Sequence, residues 1–118
     1  MGGERIAVEP RSRPAMHDAL VAAVQRAGAT VAELADADAL VWADPAAAEE
    51  LERVVGDAPN ARWIQLPYAG IENMVHVVDE DHIWTCGKGV YADDCAEWIM
   101  AALLTAFRDM PTFARARS

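Results

Sequence analysis

The chain has little of what secreted, membrane-spanning or nucleic-acid-binding proteins rely on. Its 118 residues include two cysteines, Cys86 and Cys95, too few for a disulfide framework or a cysteine zinc site and not spaced as CxxC. No apolar run is long enough for a bilayer span; the longest falls within residues 98–107 and charge follows it. The opening MGGERIAVEPRSRP carries no apolar core of a signal peptide. Basic residues number 10 against 19 acidic ones, a net charge of −9. A phosphate-binding face is not expected from that balance, nor attraction to an anionic membrane. The absences together lead to the expectation of a cytoplasmic protein with reduced thiols, with neither nucleic acid nor a membrane as partner.

Signature loops of several enzyme classes are missing as well. There is no GxGxxG and no GxxxxGK[ST]; GKGV at residues 87–90 lacks a third glycine and has no Ser or Thr after its lysine. There is no GxSxG. His17, His76 and His82 show neither HxxxH nor HExxH spacing, so no metal site is expected. Asp93 and Asp94 stand where a helix begins, and first-turn carboxylates there favour the helix dipole. The first strand ends in VEP, which supplies neither the acidic cluster of a phosphoacceptor receiver nor a Ser/Thr-rich flavin phosphate loop.

What is present is an alternation of strand-like and helix-like segments. RIAV (5–8) reads as a strand that Pro10 ends. Pro14 opens a helix with Met16, Leu20, Val24 and Ala27 at helical spacing and Gly28 as its stop. TVAEL (30–34) reads as a weak second strand, with only a short link to a third, ADALVWAD (37–44). That third run is apolar at successive positions, as in a strand covered on both faces. Asp44-Pro45 reads as a helix N-cap and first residue, with the helix running to Gly56. ARWIQL (61–66) and HIWTC (82–86) complete five strands, and a long helix runs from about Asp93 to Phe107. Trp42, Trp63 and Trp84 recur at nearly even spacing, each inside a strand. The expected fold is α/β, a flavodoxin-like (Rossmann-like) doubly wound parallel sheet of about five strands with a long C-terminal helix. Residues 1–92 form the expected domain and 93–118 the helix leading out of it. That helix is apolar nearly all round at Trp98, Ile99, Met100, Leu103, Leu104 and Phe107, which calls for burial on more than one side, in a second domain or a second subunit. The tail TFARARS reads as exposed or frayed.

One stretch, LPYAGIENM (66–74), stands at the carboxyl end of a strand, where ligands of such sheets bind. Gly70 allows a tight turn and a close approach. The successive N–H groups of Ala69 and Gly70 are suited to an anion, with Tyr68 as a flat wall. A plain strand-to-helix turn with Tyr68 packed on the surface accounts for the same residues.

Read together, WIQLPYAGIENM, WTCGKGVYADDCAEW and IMAALLTAFRDMP resemble the N-terminal substrate domain of the D-isomer-specific 2-hydroxyacid dehydrogenases. The matching positions are Gly70, Glu72 with Asn73, Ala96-Glu97, Leu103-Leu104, Arg108 and Pro111. The likeness is clear over residues 61–111. Glu72 stands where the family has Asp, Cys95 where valine is frequent, and Tyr91 where the preceding loop has asparagine. The resemblance implies that Ala69 and Gly70 N–H groups hold the carboxylate of a small 2-oxo or 2-hydroxy acid, with Tyr68 and Tyr91 lining the cleft. It gives Glu97 a structural role at the start of the interdomain helix. It further implies NAD or NADP as cofactor of the complete enzyme, bound by a nucleotide-binding domain outside this chain. The arginine, acidic residue and histidine of hydride transfer lie there too. No cofactor and no turnover are expected of the 118 residues alone, and a homodimer is expected through residues 93–110. The alternative is a stand-alone, non-catalytic binding or dimerisation module derived from that domain.

Overall fold

Five short strands pair in the order β2-β1-β3-β4-β5, every neighbouring pair parallel: Arg5–Glu9 (β1), Thr30–Val31 (β2), Ala39–Trp42 (β3), Trp63–Gln65 (β4) and Ile83–Thr85 (β5). The structure is a computed structural model and describes residues 3–116. The strand order is that of a flavodoxin-like doubly wound sheet, reversing between β1 and β3. The chain divides into two units, Met1–Lys88, which holds the sheet, and Gly89–Ser118, which holds the last two helices.

In the first unit, strand alternation sorts the side chains onto two faces. Leu40, Trp42, Ile64 and Leu66 point to one face and are buried there with Leu51 and Val54 of the helix Ala48–Gly56 (α2). Val8 and Ala43 point to the other face and meet Val24 of the helix Pro14–Arg26 (α1), with Ile6 and Val41 packed alongside. The register aligns Ile6, Ala39, Trp63 and Ile83 in one row across the sheet. The α1 cluster takes in Ile6 at one end of the row, while Trp63 and Ile83 at the other end stay exposed.

Pro14 does open α1, and Gly28 stops it in the left-handed region (φ 84°), where Ala29 N–H reaches back to the Val24 carbonyl. The link between β2 and β3 is a single 3-10 turn, Leu34–Asp36, and β2 is two residues long rather than five. Asp44 differs from its expected place. It is not the N-cap of α2, which begins three residues beyond Pro45 with Ala47 at the cap. The Asp44 carboxylate instead accepts from Ala46 N–H at 2.9 Å and from Ser12 Oγ–H at 2.7 Å. These bonds make a local turn that delays the helix.

At the start of the sheet, Arg5 grips Asp38 with two guanidinium N–H groups and its backbone N–H, tying β1 to the residue just before β3. Before β5, the Asp79 carboxylate gathers the His82 ring and backbone N–H, Asp81 N–H and the Trp84 indole N–H.

In the second unit, Ala92–Phe107 (α3) has Tyr91 at its N-cap and Asp93 and Asp94 in its first turn. Asp109 adopts φ 49° and ends it, and a further helix, Met110–Arg115 (α4), follows with Pro111 in its first turn. The tail expected to be exposed or frayed is exposed over its described residues, and it is helical as far as Arg115. Pro111 suits a helix start, and the Asp109 carboxylate and carbonyl accept from Thr112. Among the described residues, no helix is long and apolar enough to cross a membrane.

Candidate functional site

The turn after β4 is pinned at both ends and from the side. Leu66, 1% exposed, donates its N–H to the Thr85 carbonyl at 2.8 Å. At the far end Met74 is fully buried and donates to the Ile71 carbonyl at 2.8 Å. Asn73 Nδ2 donates to the Pro45 carbonyl at 2.8 Å, which ties the turn to the loop after β3. The closest approach comes from the residues after β5. Gly87 N–H donates to the Tyr68 carbonyl at 3.3 Å, and a Cβ placed on Gly87 would stand 2.8 Å from the Pro67 carbonyl oxygen. Only a residue without a side chain fits there undisturbed.

Between these anchors, neither Ala69 nor Gly70 N–H donates to any acceptor among the described residues. Gly70 is exposed and does not lie in the left-handed region. Its missing side chain is therefore not what makes the turn, in contrast to the expectation. A Cβ there would meet only Glu72 Oε2, at 2.9 Å. The Glu72 carboxylate thus puts negative charge beside Gly70. An open groove of about 500 Å³ on the neighbouring side is acidic in part too, lined by Glu49, Glu50, Asn73 and His76 with the first residues of α2.

Tyr68, Ala69 and Gly70 share this turn in the first unit, with Tyr68 partly exposed. Tyr91 belongs to the second unit, as the residue capping α3. Gly87 is the site residue that motif spacing does not mark. Its one signal in the sequence is a glycine just past the HIWTC strand, at the head of GKGV, a segment whose motif content points only to a poor phosphate loop.

The turn after β4 lies one strand away from the sheet's order reversal. At the reversal itself, between the ends of β1 and β3, Ser12 and Asp44 meet across the loops. Asp44 is 6% exposed, and the Ser12 hydroxyl first, then the Ala46 N–H, hold its carboxyl below the ordinary aspartate value. A carboxylate with a depressed native pKa stabilises the fold above its unfolded pKa and stops doing so as pH falls through the native one. Ser12→Ala is therefore expected to cost about 1.5–3 kcal/mol at pH 7, as for a hydrogen bond to a charged group. The difference from wild type should shrink once pH falls below about 4. Urea unfolding of both proteins at pH 7 and pH 3 measures this; an equal deficit at both would detach the effect from the Asp44 charge.

Compared with known proteins, the chain matches no family profile, no curated protein and no solved structure.

Proposed function

We propose that this chain is the substrate-domain portion of an NAD(P)-dependent D-2-hydroxyacid dehydrogenase. In this reading, Ala69 and Gly70 hold the carboxylate of a small 2-oxo or 2-hydroxy acid. The observation that carries it is the pair of successive, undonated N–H groups on a turn fixed at the carboxyl end of a parallel strand. Two N–H groups facing one carboxylate form charge-assisted hydrogen bonds and fix its orientation. Fixing the carboxylate fixes the adjacent carbon, the one that exchanges hydride, and such positioning is this chain's share of catalysis. NAD or NADP supplies or takes the hydride when bound, on a nucleotide-binding domain that contributes the arginine, the acidic residue and the histidine. Tyr68, on the same turn, lines the substrate cleft in this reading.

Glu72 sets a condition on this reading. With its carboxylate beside Gly70, an anion enters only if Glu72 swings away or a cation, such as the proposed arginine, offsets it. In the chain alone binding should be weak. Removing that charge by Glu72→Gln should tighten it about fivefold, the worth of one unit charge about 4 Å away in water. Titrating ¹⁵N-labelled protein with glyoxylate and following amide resonances tests both statements. Ala69 and Gly70 are expected to shift in the millimolar range, and at lower concentration in Glu72→Gln. Shifts elsewhere with these two unmoved would remove the carboxylate reading.

A further inference from the structure

We infer that the acid held by the turn after β4 carries its own positive charge next to its carboxylate, as an α-amino acid does, with the ammonium group on Glu72. The inference rests on the reading that Ala69 and Gly70 hold a carboxylate, and it names the class of acid. The turn offers both halves of such a site. The N–H groups of Ala69 and Gly70 are on exposed residues and donate to no acceptor among the described residues. Beside them stands the carboxylate of Glu72, also exposed and without an ion pair or hydrogen bond among the described residues. Its Oε2 lies 2.9 Å from the point a Gly70 Cβ would occupy. Adding the two covalent bonds of about 1.5 Å that lead back to the Gly70 nitrogen puts this oxygen within roughly 6 Å of that donor.

A donor pair and a carboxylate this close together sort ligands by charge. A plain 2-oxo acid gains the two N–H groups but meets Glu72 as a like charge. A simple amine gains Glu72 and leaves the N–H groups open. An α-amino acid joins both, because one carbon separates its ammonium from its carboxylate. A hydrogen bond of about 2.9 Å at each end, with that short backbone bent between them, bridges a gap of roughly 6 Å. The neighbouring groove, lined in part by Glu49 and Glu50, also disfavours an uncompensated anion. In the complete dehydrogenase an arginine from outside this chain would offset Glu72. Here the offset arrives with the ligand.

Amide titrations of the whole ¹⁵N-labelled chain with glycine, acetate, methylammonium and glyoxylate test it, in wild type and in Glu72→Gln. Glu72 is exposed, so the variant should fold as wild type does. In wild type, Ala69 and Gly70 should shift with glycine at concentrations about fivefold lower than with acetate. Methylammonium should leave both nearly unmoved. In Glu72→Gln, glycine should bind about threefold more weakly, the scale of one exposed ion pair, whereas acetate and glyoxylate should bind more tightly. Opposite signs from one substitution separate a charge contact with the ligand from a general effect of Glu72 on the turn. Glycine no better than acetate in wild type, or glycine gaining as acetate does in the variant, would overturn the inference. If glyoxylate moves residues 69 and 70 and glycine does not, the inference fails and the proposed function stands. If glycine moves them and glyoxylate does so in neither protein, the proposed function fails and the inference stands. No shift at either residue with any carboxylate removes both.

Discussion

Trp42→Ala is expected to remove most of the protein's folding stability at 25 °C. Trp42 is fully buried at the end of β3, between the core residues of the sheet and α2. Removing a buried indole costs about 3–5 kcal/mol through lost transfer energy and the cavity left behind. A domain of this size has about 5–15 kcal/mol in total, and five short strands place this one towards the lower end. Trp42→Phe should behave differently. The indole N–H of Trp42 finds no acceptor among the described residues, so the native side chain already carries the penalty of an unpaired buried donor. Phenylalanine removes that donor while keeping most of the apolar volume, and the net loss should be about 1 kcal/mol or less. Urea unfolding of the three proteins measures the contrast. A Trp42→Phe loss as large as that of Trp42→Ala would mean that the indole N–H has a partner, such as a buried water.

The sheet was legible because its signals are physical and local. ALVW is apolar on successive positions since β3 is covered on both faces: Leu40 and Trp42 are buried in the α2 cluster on one, and Val41 packs with the α1 cluster on the other. Pro14 and Gly28 bracket α1 for reasons of backbone geometry that no tertiary contact overrides. The even spacing of Trp42, Trp63 and Trp84 was less informative. Trp42 and Trp84 belong to the cluster under α2, whereas Trp63 lies in the opposite row and is 39% exposed. A spacing of 21 residues crosses turns and helices, so it does not preserve the face.

Two features were hidden for a common reason: each depends on a partner distant in sequence. Asp44-Pro45 has the pattern of a helix cap, but the pattern does not contain Ser12, 32 residues away, which takes one carboxylate oxygen. LPYAG announced a turn, and glycine invited the inference that Gly70 shapes it. Strand pairing decides otherwise. Because β5 lies beside β4, the chain leaving β5 runs against the chain leaving β4, and the close contact falls on Gly87. The likeness to the dehydrogenase substrate domain marked the turn itself and said nothing of the residue against it.

Gly87→Ala should therefore do to the candidate site what Gly70→Ala does not. At Gly87 the new methyl carbon meets backbone: the Pro67 carbonyl oxygen at 2.8 Å, with the Pro67 carbonyl carbon and Tyr68 Cα at 3.5 Å. Neither chain can yield by rotating a side chain, so the turn must move, at a cost of about 1–3 kcal/mol as in other overpacked sites. At Gly70 the same methyl group meets the end of Glu72, a flexible side chain that can turn away, and the change should stay within about 1 kcal/mol. The ligand readout separates the two further. Moving Pro67 and Tyr68 displaces the Ala69 and Gly70 N–H groups, and a displacement of about 1 Å is enough to lose a well-aligned pair of hydrogen bonds. Glyoxylate-induced amide shifts at residues 69 and 70 should disappear in Gly87→Ala and persist in Gly70→Ala. If Gly87→Ala is stable and still binds, the close approach does not set the turn. The position of the two N–H groups is then held by Leu66, Asn73 and Met74 alone.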